Sequence, residues 1–134
     1  FYGAYNRNVD KRTPSLKCVQ DNDKLKVANA SAKLDYPVAL ITADEVAMAG
    51  GLMNHENNKF YLYNGISYYT MSPTYFNPSS TVSVVSNVTE NGDLTPYFDV
   101  TFVYGVRPVI NLKADIKITS GDGTSISPFK IATN

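Results

Sequence analysis

YPVALITADEVAMAGG, residues 36–51, changes from one local pattern to another part-way along. Tyr36 to Ile41 reads as a buried strand. Thr42 follows, with Glu45 three positions on. That is a capping box, in which each side chain satisfies an orphan backbone N–H at the start of a helix. Ile41 before the cap and Val46 after it can form a hydrophobic staple. Gly50 and Gly51 supply a left-handed stop. The spacing therefore predicts a helix of about two turns over 43–49. It assigns Thr42 and Glu45 structural roles, and it gives Asp44 and Glu45 to helix capping rather than to catalysis.

Downstream of that helix the patterning is almost wholly β. Residues 51–59 read as a loop. KFYLYNGISYYTMS (59–72) reads as two strands around an Asn64-Gly65 turn, a strong short hairpin signal. TVSVVSNV (81–88) and YFDVTFVYGV (97–106) alternate as strands, separated by TENGDLTP with a second Asn-Gly turn. The last stretch, from Arg107 to Ile131, reads as two or three strands with a glycine-flanked turn. Upstream, residues 1–34 are polar and irregular, with weak strand character in KLKVA (24–28). One helix among many short strands predicts an α+β domain, although alternating short strands also fit an immunoglobulin-like β-sandwich.

Composition narrows the class of protein. The 134 residues fit one domain with a real core, and 43% hydrophobic against 18% charged residues is globular. Twelve basic residues balance twelve acidic ones. Residues 1–36 carry seven basic and four acidic side chains, an excess too weak to argue for nucleic acid. No run of 18 apolar residues exists, so no membrane insertion by this segment is expected. The chain begins at Phe1 rather than methionine, as a mature or excised piece of a longer protein would. Cys18 is the single cysteine, with no internal disulfide or metal-type spacing open to it. Ten tyrosines and six phenylalanines stand beside no tryptophan, amid plentiful asparagine, serine and threonine. That palette suits a recognition surface and equally a sheet, where aromatic and β-branched residues are favoured.

Nothing in the sequence argues for catalysis. His55 has Glu56 beside it but no second ligand at metal-site spacing. SGDGT (120–124) offers Asp122, with Asp115 seven residues away, against the six to eight oxygens calcium takes; flanking glycines suit a tight turn instead. There is no Gly-x-Ser-x-Gly elbow and no phosphate loop. No cofactor and no metal site is expected.

YGVRPVINL (104–112) places one arginine among residues that favour burial. Read in order with YYTMSPTYF (68–76), NGDL (91–94) and GVRPVINLKADIKITSGDGTSISPFKI, and with YPVALITADEVAMAGG and YLYNG upstream, it resembles a widespread bacterial domain of unassigned function. That family is found in secreted, lipid-anchored and prepilin-like proteins. The family in turn resembles the C-type-lectin-like fold of formylglycine-generating enzymes and phage tropism determinants, which close the domain with a Gly-aromatic-Arg strand. Gly105-Val106-Arg107 matches that strand in part, and Tyr69 stands where the family usually has tryptophan.

The resemblance covers about residues 10–131. It implies a C-type-lectin-like α+β fold with small twisted antiparallel sheets, forming one domain over 1–134 at the C-terminal part of a longer surface protein. It implies that Arg107 closes the fold by capping carbonyls or pairing a carboxylate. The catalytic cysteines of formylglycine-generating enzymes have no counterpart, since Cys18 lies in the wrong region. The implied function is a non-catalytic extracellular or cell-surface module presenting tyrosine, asparagine and serine to a protein or glycan ligand. The alternative is a structural or pilin-like subunit engaged in self-association. The ligand-binding candidates, in the region between the hairpin and the final strands, are Tyr68, Tyr69, Tyr75, Phe76, Asn77, Tyr97 and Phe98. Period-2 alternation puts Tyr69 and Met71 on one face and Tyr68 and Thr70 on the other.

Overall fold

A computed structural model describes residues 1–17, 36, 38–124 and 126–132. Cys18 and the weak strand expected at 24–28 lie outside the described residues. The chain opens with a single helical turn, α1 (Gly3–Tyr5), continued by a π-helical turn at Asn6–Asp10. Strand β1 (Val38–Leu40) leads into helix α2 (Ala43–Met48), followed by β2 (Leu52–Met53). Three longer strands follow: β3 (Tyr68–Asn77), β4 (Val82–Val88) and β5 (Asp93–Asp99). Short strands β6 (Pro108–Ile110), β7 (Ile118–Ser120) and β8 (Lys130–Ile131) complete the chain.

One four-stranded sheet, ordered β2-β5-β4-β3, dominates, with two-stranded ribbons β1-β6 and β7-β8 beside it. Among the described residues these strand pairings are antiparallel except β2 with β5, and a single parallel bridge joins Tyr68 to Gly105. The architecture is thus α+β, built mostly of small antiparallel sheets with few short helices. An immunoglobulin-like sandwich needs two extended sheets face to face. Here α2 packs against a single sheet instead.

Helix α2 forms as its local chemistry dictates. The Thr42 hydroxyl accepts from the Glu45 amide at 3.1 Å, and the Glu45 carboxylate accepts from the Thr42 amide at 2.8 Å. Gly50, at φ +105°, turns the chain out of the helix. Ile41 and Val46 are both buried in the main apolar cluster with Ala43, Phe60, Tyr68, Val88 and Leu94. Tyr68, Val88 and Leu94 form one cross-strand row of that core, because antiparallel partners send their side chains to the same face.

The core face of β3 is unexpectedly polar. Tyr68, Thr70, Ser72 and Thr74 are the buried side chains, whereas Tyr69, Met71 and Pro73 are half-buried on the other face. The hydroxyls tolerate burial because each has a partner. Thr70 donates to the Ser86 carbonyl at 2.7 Å, and Thr74 to the Pro96 carbonyl at 2.9 Å. Ser72 accepts from the Ala43 amide at 2.9 Å, tying the sheet to the first turn of α2.

The outer edge of β3 would expose unpaired backbone groups, but three irregular segments cover it. Tyr2 N–H donates to the Thr74 carbonyl, Met71 N–H to the Ile41 carbonyl and Tyr69 N–H to the Gly105 carbonyl, at 2.9, 2.9 and 3.1 Å.

Two strand expectations are corrected. Residues 59–63 make turns rather than the first arm of a hairpin, with Tyr63 N–H donating to the Phe60 carbonyl. From this turn Phe60 is buried in the core and Leu62 packs against the same cluster, so their apolar character is satisfied without strand pairing. The strand expected at 97–106 runs from Asp93 to Asp99 instead. Asp99 ends it by accepting from the Thr101 amide at 2.9 Å, an Asx turn that redirects residues 100–106. In the SGDGT turn, Asp122 is likewise occupied locally, accepting from the Thr124 amide at 3.0 Å.

Candidate functional site

The seven binding candidates do not form one surface. Two register irregularities in β3, between Tyr69 and Pro73 and between Pro73 and Tyr75, shift the phase of the strand. Before them Tyr69 pairs with Asn87, on the face opposite the core row; after them Tyr75 pairs with Val84, whose side chain is buried with the core. A further irregularity displaces β5 against β4 between Val85 and Asn87, so Phe98 pairs with Val85 on the outer face. The candidates accordingly split into two aromatic groups on opposite faces of the sheet.

The outer-face group is the more ordered. Tyr69 meets Tyr104 edge-on at 5.2 Å, Phe98 meets Tyr104 at 5.5 Å and Phe102 at 5.8 Å, and Phe102 stacks on Tyr104 at 6.1 Å. Edge-to-face pairs of this kind contribute about 0.5–1.5 kcal/mol each beyond area burial. The Tyr69 hydroxyl locks the loop over the sheet, donating to the Phe102 carbonyl at 2.6 Å and lying 3.2 Å from the Asp99 carbonyl. Burial first, then Tyr104 and Asp99, pushes the Tyr69 phenol above its ordinary pKa, which keeps it a donor. Phe102 is 54% exposed and Val103 96% exposed, so the group presents a rigid aromatic platform with an apolar rim.

The second group draws on the N-terminus. Phe1 lies 4.3 Å from Tyr5 and 5.2 Å from Tyr75, and burial first, then the neighbouring Tyr97 phenol, push the Tyr5 phenol above its ordinary pKa. Phe76 is exposed outside either group. Asn77 is used in the turn after β3, accepting from the Ser79 amide at 3.0 Å.

Tyr68 leaves the candidate set altogether. It is 2% exposed, in the core row with Val88 and Leu94, and no ligand can reach it. Burial raises its phenol pKa, with Arg107 opposing the shift. The sequence reading misses Phe1, Tyr5, Phe102 and Tyr104. Phe102 and Tyr104 do carry a signal, since period 2 puts them in phase with Phe98, but nothing local says that the chain turns there.

Arg107 is half-buried, donates to the Leu62 carbonyl and holds its guanidinium carbon 5.1 Å from the centroid of the Tyr68 ring. It joins the loop before β3 to the segment entering β6. Replacing Arg107 by alanine is expected to cost about 2–3 kcal/mol, from a charged hydrogen bond and a cation–π contact. Chemical denaturation measures this, and an unchanged midpoint would reduce Arg107 to an ordinary surface residue. Lysine should restore little of the loss, having no planar face to lay on Tyr68.

Among the described residues no helix is long and apolar enough to cross a membrane. No protein-family model matches the chain, and neither a curated protein nor a solved structure matches it significantly.

Proposed function

We propose that this chain is a non-catalytic binding module of a secreted or surface-exposed bacterial protein, built on a C-type-lectin-like fold, and that it takes a protein or glycan ligand on the Tyr69–Phe98–Phe102–Tyr104 platform. The observation that carries this reading is the platform itself. Four rings are pre-packed against one another and pinned by the Tyr69 hydroxyl, yet they are left partly open to solvent. A rigid aromatic surface loses little entropy on binding, which is why tyrosine and phenylalanine anchors dominate recognition surfaces. The α+β architecture, with its irregular excursion between β5 and β6, supports the fold assignment.

Self-assembly as a structural or pilin-like subunit is the second reading. Val103 at 96% exposure and Ile126 at 94% favour it, because such side chains gain from being covered by another copy.

The two readings separate on substitution of exposed residues. Phe102→Ser is expected to weaken a ligand found by glycan and host-protein screening at least about tenfold, the loss of one interface anchor. Thermal stability should fall only by about the 0.5–1.5 kcal/mol of its edge-to-face pair with Phe98, since Phe102 is more than half exposed. Unchanged affinity would remove the platform from the binding site. If no ligand is found and sedimentation instead reveals oligomers that Val103→Ser and Ile126→Ser dissolve, the domain is a structural subunit.

A further inference from the structure

The aromatic platform rests on a side chain that has no partner. Asn87 lies on the outer face of β4, paired across the sheet with Tyr69 of β3 and Thr95 of β5. It is fully buried, and neither its Oδ1 nor its Nδ2 has a hydrogen-bond partner. Both atoms are also closed to contact with a water molecule, so no bridging water satisfies them. Buried carboxamides are normally paired, and leaving one unpaired costs more than a made hydrogen bond returns.

What covers Asn87 is the Tyr104 ring. Strands β3 and β5 flank β4, so Tyr69 and Phe98 stand two strand spacings apart, about 9–10 Å. Tyr104 nonetheless lies 5.2 Å from the first ring and 5.5 Å from the second. Its ring therefore bridges them above β4, over the stretch from Val85, the partner of Phe98, to Asn87, the partner of Tyr69. Tyr104 arrives there on the loop between β5 and β6, which is lightly attached. The ends are fixed, at Val100 by donation to the Ser83 carbonyl and at Gly105 by backbone bonds with Ser67 and Tyr69. Between them, the Thr101 and Phe102 amides bond only to Asp99, within the turn itself. Among the described residues, the Tyr69 hydroxyl on the Phe102 carbonyl is the one hydrogen bond that holds 101–104 down on the sheet.

We propose that residues 101–104 form a lid with two states and that the orphan Asn87 carboxamide sets the balance between them, which builds on the platform reading because only the closed state assembles the four rings. Ring contacts and the Tyr69 latch favour closure. The unpaired amide opposes it, and the opposing contributions are of the same order. Swinging Tyr104 away lets water hydrate both polar atoms of Asn87 and removes the cost of leaving them unpaired. A platform ligand touches rings that come together only in the closed state, so it binds by shifting the lid toward closure. The platform is thus gated from beneath.

Amide relaxation dispersion NMR on the whole unliganded chain, side-chain amides included, tests this. The Thr101–Tyr104 amides and the Asn87 side-chain amide should exchange at one common rate in the microsecond-to-millisecond range, with an open population above about 1%. Tyr69→Phe, which removes the latch, should enlarge that population about fivefold. Asn87→Val sets an apolar, strand-favouring side chain under Tyr104. It should shrink the open population at least about fivefold and raise the thermal midpoint. If the bulk of valine prevents folding, Asn87→Ala decides by the same exchange measurement. Flat profiles over 101–104 overturn the lid, and undiminished exchange in the folded Asn87 variants overturns the role of the carboxamide. Exchange in a chain for which no platform ligand is ever found upholds the lid and removes only the binding reading. A ligand that binds a chain with flat profiles does the reverse.

Discussion

Replacing Arg7 by alanine is expected to destabilise the domain by about 3–5 kcal/mol, the cost of leaving a buried charge without its partner. Asp44 is 3% exposed and accepts from Arg7 Nε at 2.9 Å, Arg7 Nη2 at 2.8 Å and the Ser15 amide at 2.9 Å. Two parallel N–H···O bonds make this a bidentate pair, the stronger geometry for such groups. Its mechanical consequence is that the N-terminal turn is clamped to the first turn of α2, 37 residues later. Arg7→Ala removes both of its bonds to Asp44 and leaves the buried carboxylate leaning on the neutral Ser15 amide, with no other cation against it among the described residues. Urea denaturation gives the magnitude. A loss below about 1 kcal/mol would place the pair with ordinary surface ion pairs. Removing both charges together, as Arg7→Met with Asp44→Leu, should recover much of the loss, because an apolar pair avoids the desolvation that the ion pair must offset.

That pair marks the boundary of what local sequence can convey. The Thr42–Glu45 box and the glycine stop are contacts within one turn, so the helix expected at 43–49 is found at Ala43–Met48. The same local logic assigns Asp44 to helix capping, yet its partners lie on a segment with no local signal. The short strands after Arg107 are legible for the same reason as α2, being bounded by proline and glycine. The segment 59–63 is not, since its apolar alternation serves burial in a turn rather than pairing at an edge.

The site divides along the same line. Alternation groups Tyr68 with Thr70 and Tyr69 with Met71, and the structure keeps that grouping. It buries the threonine and serine face, an outcome that depends on carbonyl partners in β4 and β5. Alternation also assumes an unbroken strand, whereas the irregularities around Pro73 move Tyr75 to the face opposite Tyr69. Tyr69 and Phe98 belong together, but the rings that complete their platform come from a loop created by the Asp99 turn.

The two Asn-Gly turns, alike in sequence, are expected to respond very differently to alanine. Gly65 has φ +73° and Gly92 has φ +80°, so alanine at either meets the cost of the left-handed region, about 1–2 kcal/mol. Space around them differs. A Cβ on Gly65 would have only the Tyr63 hydroxyl near it, at 3.6 Å, which is ordinary contact. On Gly92 it would lie 2.1 Å from the Asn57 carbonyl oxygen and 2.7 Å from its carbon, both backbone atoms that cannot rotate aside. Gly92 is also held in the tight connection between β4 and β5, where its N–H donates to the Thr89 carbonyl at 2.9 Å and Thr89 N–H to the Asp93 carbonyl at 2.9 Å. Relieving the clash must therefore move either that turn or the 56–58 loop. Adding an overpacking cost to the backbone strain, Gly92→Ala should destabilise by about 3–5 kcal/mol, against about 1 for Gly65→Ala. Parallel denaturation of the two variants checks this. Equal losses would mean that the 56–58 loop yields freely and that its close approach to Gly92 contributes nothing to the fold.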